Sequence, residues 1–67
     1  NCIAPGFIET EMLKDLDEAY LSAIVSEIPL QRLGKTKEIS SLVKFLASDE
    51  ANYITGQTVH INGGLFM

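Results

Sequence analysis

Two stretches of this chain read as strand, the end of one at Asn1–Ala4 and a second at Gln57–Ile61, and helical sequence fills the space between them. Strands joined in this way predict a parallel βαβ crossover, the repeating unit of doubly wound α/β sheets. One strand and the stub of another make no stable sheet by themselves. The 67 residues therefore read as one edge of a larger domain, and an opening Asn1-Cys2-Ile3 without an initiator Met fits that expectation.

Between the strands the punctuation is clear. Pro5 cannot donate to a ladder and is expected to stop the first strand, with Phe7–Glu9 as loop. Thr10 suits the cap of a short turn through Met12-Leu13, and Glu9 and Glu11 are solvated acids well placed against its dipole. Asp15 followed by Glu18 has the spacing of a capping box. From there Leu16, Ala19, Tyr20, Ala23 and Ile24 fall on one helical face, and Pro29 ends the helix at or before Ile28.

Pro29–Lys35 is a connector that pivots on Gly34. Thr36 is expected to cap a third helix reaching about Ala47, with Ile39, Leu42, Val43 and Leu46 as its apolar stripe and Phe45 beside it. A short turn follows in Ser48–Asn52, and Thr55-Gly56 breaks it. In the second strand Val59 and Ile61 share one side, Thr58 and His60 the other. Asn62-Gly63-Gly64 turns the chain, leaving an apolar tail, Leu65-Phe66-Met67.

Composition removes several function classes. A net charge of −4 with only five scattered Lys/Arg argues against nucleic acid, which needs a basic face. The 46% hydrophobic content is that of a globular chain, yet one this short buries only about 60% of its unfolded surface. Cys2 is the lone cysteine, so no internal disulfide forms and no Cys/His cluster can hold a metal. It reads as a small apolar residue buried at a strand end. No apolar run reaches the ~18–20 residues of a membrane span and no secretory signal is visible, so a cytoplasmic, reducing setting is expected.

Three blocks, NCIAPGFIETEM, IPLQRLGKTKEISSLVKFLASDEANYITGQTVHINGG and GLFM, together resemble the C-terminal quarter of a short-chain dehydrogenase/reductase. Within that family the resemblance is to the ketoreductases that act on 3-oxoacyl-[acyl-carrier-protein] in bacterial and plastid fatty-acid synthesis. It covers essentially the whole chain. It implies the C-terminal part of a Rossmann-type doubly wound parallel sheet, made of a strand end, lid helices, a long helix and the last strand.

The resemblance also implies roles. The Pro5-Gly6 loop would border the nicotinamide end of NADPH (NADH is not excluded), with Ile8 main-chain atoms at the carboxamide and Thr10 reaching toward the carboxamide or pyrophosphate. The physics agrees: dinucleotides bind at the carboxyl ends of parallel strands, glycine permits close backbone approach, and a helix start offers free N–H groups. An acyl-carrier-protein thioester would be the substrate. Helices after Thr10 would form a mobile lid, and the last helix and strand would build a homotetramer that covers the tail.

Other residues receive quieter readings. Arg32, in a Pro-x-x-Arg-x-Gly pattern, is expected to bind carbonyls or a carboxylate in the connector. His60, the only histidine, is read as a packing or interface residue. Gln57 stands where some relatives carry a cation-binding Glu, and no metal is expected on a neutral amide.

The family's glycine-rich phosphate turn, its catalytic Ser and its Tyr-x-x-x-Lys pair lie outside this chain. Tyr20 and Tyr53 are followed at the fourth position by Ile24 and Gln57, so no residue here is assigned to catalysis and the isolated segment is expected to be inactive. Two alternatives stay open. One is another short-chain dehydrogenase acting on an alcohol, sugar or steroid. The other is a stand-alone, non-enzymatic module that folds by oligomerising.

Overall fold

The computed structural model describes residues 1–65, and the side chains of all of them except Met12 and Lys14. The order is β1 (Cys2–Pro5), β2 (Ile8–Glu9), α1 (Glu11–Lys14), α2 (Glu18–Glu27), β3 (Gly34–Lys35), α3 (Thr36–Leu46), a 3-10 turn (Asp49–Ala51) and β4 (Thr58–Ile61). Phe66 and Met67, the end of the expected apolar tail, lie outside the described residues.

The expected crossover is present. β1 and β4 pair in parallel, in the register Cys2↔Thr58 through Pro5↔Ile61. A second parallel pair was not foreseen: Ile8 and Glu9, read as loop, stand opposite Gly34 and Lys35.

Pro5 does not stop β1. The ladder takes its donors from alternate residues, with Cys2 N–H on Gln57 O (2.8 Å) and Gly6 N–H on Ile61 O (3.1 Å). Pro5 falls on the odd phase, whose main-chain groups face away from β4. Its missing N–H costs this ladder nothing.

Helix boundaries shift by small amounts with definite causes. Thr10 occupies the cap of α1 in extended conformation, but its side chain makes no capping bond. Asp15 closes α1 and so cannot open the next helix. The cap of α2 is Asp17, whose Oδ1 accepts from Ala19 N–H at 3.2 Å. Ile28 caps the far end, as Pro29 requires.

The buried face of α2 is rotated from the expected stripe. Leu16 and Tyr20 are exposed, as are Ala19 and Ala23, whereas Leu21, Ile24 and Val25 are half-buried. These continue to Ile28, the most buried side chain at 2% exposure. The spacing i, i+3, i+4, i+7 was present in the sequence, one residue out of phase with the stripe chosen.

α3 follows β3 without a linker, so its cap is the extended Lys35 and not Thr36. Ile39, Leu42 and Leu46 are half-buried, while Val43 and Phe45 are exposed.

The core is small and sits where the connector after α2 meets the turn after β4. Leu30 N–H donates to Gly63 O (3.1 Å), and a Cβ on Gly63 would lie 2.8 Å from Ile28 Cγ2. Ile28 and Ala51 are the fully buried apolar residues among those described. The accessible area is 5264 Å², against roughly 4,200 Å² for a folded monomer of this mass. The excess, roughly 1,100 Å², is somewhat larger than one side of a standard protein interface, about 800 Å². Cys2 belongs to this uncovered surface: it is exposed, not buried as the sequence suggested, because it opens an edge strand.

Candidate functional site

The four residues singled out from the sequence, Pro5, Gly6, Ile8 and Thr10, lie in one continuous stretch leading from the carboxyl end of β1 to the start of α1. That end is where open parallel sheets hold their ligands. Beside it a cleft of about 480 Å³ runs between Phe7, Ile8 and Leu30 on one side and the end of β4 on the other.

Gly6 is needed for a reason internal to the chain. A Cβ there would stand 2.7 Å from Asn62 Cβ and 2.9 Å from Asn62 Cα. The close backbone approach that glycine allows is therefore to the turn after β4. Asn62 is itself fixed there, with its Oδ1 accepting from Gly64 N–H at 2.9 Å.

Ile8 is presented differently. Gly34 N–H donates to Phe7 O at 3.0 Å, so the main-chain groups of Phe7 and Glu9 face β3. Successive residues of a strand alternate, and those of Ile8 consequently point to the opposite side. Its N–H and C=O are directed out of the ladder, while its side chain fills the space above Gly34, whose Cβ would meet Ile8 Cδ1 at 2.8 Å. Thr10 is exposed and lines a shallow recess with Glu9, Glu11, Lys35 and Thr36.

The arrangement has a charged support that the sequence named only in part. Arg32 was expected to bind carbonyls or a carboxylate within the connector: Nη1 does donate to the connector carbonyl Leu33 O (3.1 Å), but the carboxylate is that of Glu38 in α3, held by Nη1 on Oε1 (2.8 Å) and Nη2 on Oε2 (2.9 Å). Glu38 Oε1 also accepts from Lys35 N–H at 3.0 Å. The bond from Arg32, aided by that backbone N–H, pulls the Glu38 carboxyl down to about 2. The signal for Glu38 was its place in the first turn of α3, which alone says nothing of its partner.

His60 is exposed on β4 opposite Ala4, so packing within the chain does not account for it. Among the described residues no helix is long and apolar enough to cross a membrane.

Known proteins resemble this chain along its whole length. A family model described as enoyl-(acyl carrier protein) reductase matches residues 1–66. The 3-oxoacyl-[acyl-carrier-protein] reductase FabG of Salmonella typhimurium is 54% identical over 67 residues, which is all of this chain and 28% of that protein. The proteins of the same name from Escherichia coli and Vibrio harveyi are 52% and 55% identical over the same span, again 28% of each. The chain thus spans little more than a quarter of these relatives. A family match over residues 1–66, with more than half the residues shared along the whole length, means that the chain belongs to the short-chain dehydrogenase/reductase family.

Proposed function

We propose that this chain is the C-terminal segment of a single Rossmann-type domain in an NADPH-dependent 3-oxoacyl-[acyl-carrier-protein] reductase of fatty-acid synthesis. The observation that carries the reading is identity of 52–55% along all 67 residues to reductases of that name. The family model carries an enoyl reductase description. The ketoreductase reading is preferred because it rests on residue identity along the full segment.

The nicotinamide ring, when bound, supplies the hydride; the residues here bind and orient it. The fit rests on Ile8, whose outward N–H and C=O form a donor–acceptor pair matched to a carboxamide. Phe7 and the Ile8 side chain give apolar walls, Pro5 and Gly6 set the bend, and the Thr10 hydroxyl is free of capping duty for a polar ligand atom. Gly6 contributes by admitting Asn62 at close range, while its own N–H ties the bend to Ile61 O. Helices α1 and α2 act as the lid over an acyl-carrier-protein thioester. Helix α3 and β4 form the face on which a homotetramer assembles, with His60 as an interface residue, in a cytoplasmic setting.

The test uses the full-length protein with an acetoacetyl thioester and either NADPH or NADH, following loss of the reduced nicotinamide. Thioester-dependent oxidation, faster with NADPH, is expected. Turnover of an alcohol, sugar or steroid with none of the thioester would replace this reading by another dehydrogenase of the family. The stand-alone module has a separate test, since it requires the isolated 67 residues to unfold cooperatively. The small core and the large exposed apolar area favour a segment that completes its core against the rest of a domain.

A further inference from the structure

We propose that Arg32 and Glu38 are positioning residues for the nicotinamide side of the pocket. They fix β3, and β3 fixes the direction in which β2 presents the main chain of Ile8. The inference rests on the reading above that Ile8 meets the carboxamide.

Strands of two residues have no stiffness of their own. β2 keeps its orientation through its ladder with Gly34 and Lys35. β3 is equally short, and it is held from both sides. Before it, Arg32 bonds Leu33 O; after it, Glu38 bonds Lys35 N–H; and the two side chains join each other through two parallel bonds. A guanidinium–carboxylate fork fixes relative orientation as well as distance, which a single point charge does not.

The pair contributes orientation more than stability. Both side chains are about half exposed, at 50% and 42%, and exposed pairs contribute little to stability; geometry is what this one supplies. In addition, both terminal guanidinium nitrogens are committed to Glu38, with Nη1 also on Leu33 O. Both residues also line the cleft beside Ile8, with the guanidinium turned to Glu38 and to the connector carbonyl.

The test compares two kinds of ligand on the full-length protein. NADPH and NADH are titrated by nicotinamide fluorescence; ADP-ribose and its 2′-phosphate, which lack the nicotinamide, are titrated by competition. Arg32→Ala should weaken the reduced dinucleotide by about 10- to 100-fold, the range for losing an orienting partner, and leave the ADP-ribose ligands unchanged. Arg32→Lys should recover only part of the loss, because lysine lacks the fork. Glu38→Gln, which keeps an acceptor for Lys35 N–H, is a milder variant for use if Arg32→Ala does not fold.

Equal losses for both kinds of ligand would reduce the pair to general fold maintenance and overturn the proposal. Unchanged dinucleotide binding in Arg32→Ala and Glu38→Gln would overturn it while leaving the reductase reading standing. A wild-type protein that binds no reduced dinucleotide would remove the reductase reading, and the proposal with it.

Discussion

Ile8 and Gly34 stand opposite each other in the β2–β3 ladder, and the space a Gly34 side chain would occupy is filled by Ile8 Cδ1, 2.8 Å from an ideal Cβ. The clash is with the movable end of a side chain, so it should be relievable. Gly34→Ala is expected to destabilise the full-length protein by about 1–3 kcal/mol, as overpacking does. In an Ile8→Val background, which removes Cδ1, the same change should cost less than about half as much. Denaturant midpoints of the four proteins in the cycle decide it; strict additivity would mean that the two residues do not share the space.

Gly6 offers the contrasting case. Its neighbours are Cβ and the backbone Cα of Asn62, at 2.7 and 2.9 Å, and neither can swing aside. Gly6→Ala should therefore cost more than Gly34→Ala, at or above the upper end of about 1–3 kcal/mol. Ile8→Val should give no relief. A Gly6→Ala protein with an unchanged midpoint would show that the β4 turn can retreat from β1.

Thr10 separates stability from binding. Its side chain makes no capping bond, so Thr10→Ala should change stability by no more than about 0.5 kcal/mol, against about 1 for a working cap. If the hydroxyl meets the cofactor, affinity for the reduced dinucleotide falls in the same variant. Thermal or denaturant melts beside a nucleotide titration give both numbers. A large stability loss with unaltered affinity would assign Thr10 to the helix.

Acid should dissolve the Arg32–Glu38 fork within a defined window. The folded carboxyl of Glu38 is lowered from its ordinary 4.5 to about 2, first by the bond from Arg32 and then by Lys35 N–H. A carboxyl depressed by folding adds stability that is complete above its unfolded value and is lost as pH falls toward the folded one. Its contribution to stability is thus complete above pH 4.5, declines as pH falls from there, and is lost below about pH 2, with little change across neutral pH. Carboxyl-carbon NMR should follow Glu38 titrating near 2 in the wild type and closer to 4.5 in Arg32→Ala. Equal midpoints in the two proteins would count against the fork in solution.

Those features legible in the sequence are the ones decided locally. Pro29 stops α2 at Ile28 because the residue before proline avoids helical geometry, and Val59 and Ile61 fall on one side of β4 because strands alternate. The candidate site was read through resemblance, since Pro5-Gly6 by itself specifies only a turn. What escaped depended on partners far along the chain. Whether Ile8 and Glu9 form a strand depends on Gly34 and Lys35, and whether Pro5 can stay in β1 depends on which phase of the ladder faces β4. The buried face of α2 was decided by its continuation into Ile28 and the turn at Gly63. Cys2 looked buried because a small apolar residue at a strand end suggests a covering layer, and among the described residues none covers it.

The bonds of Asn1 carry a consequence for how the molecule is made. Its side chain accepts from Gln57 N–H and donates to Ile54 O, across 56 and 53 positions, and next to it Cys2 N–H waits for Gln57 O. Synthesis of the intervening residues takes roughly 3–10 s at ribosomal speeds of about 5–20 residues per second. For that interval the donors and acceptors of β1 that will bond β4 lack that partner. Any partner that recognises exposed strand edges meets β1 before β4 does.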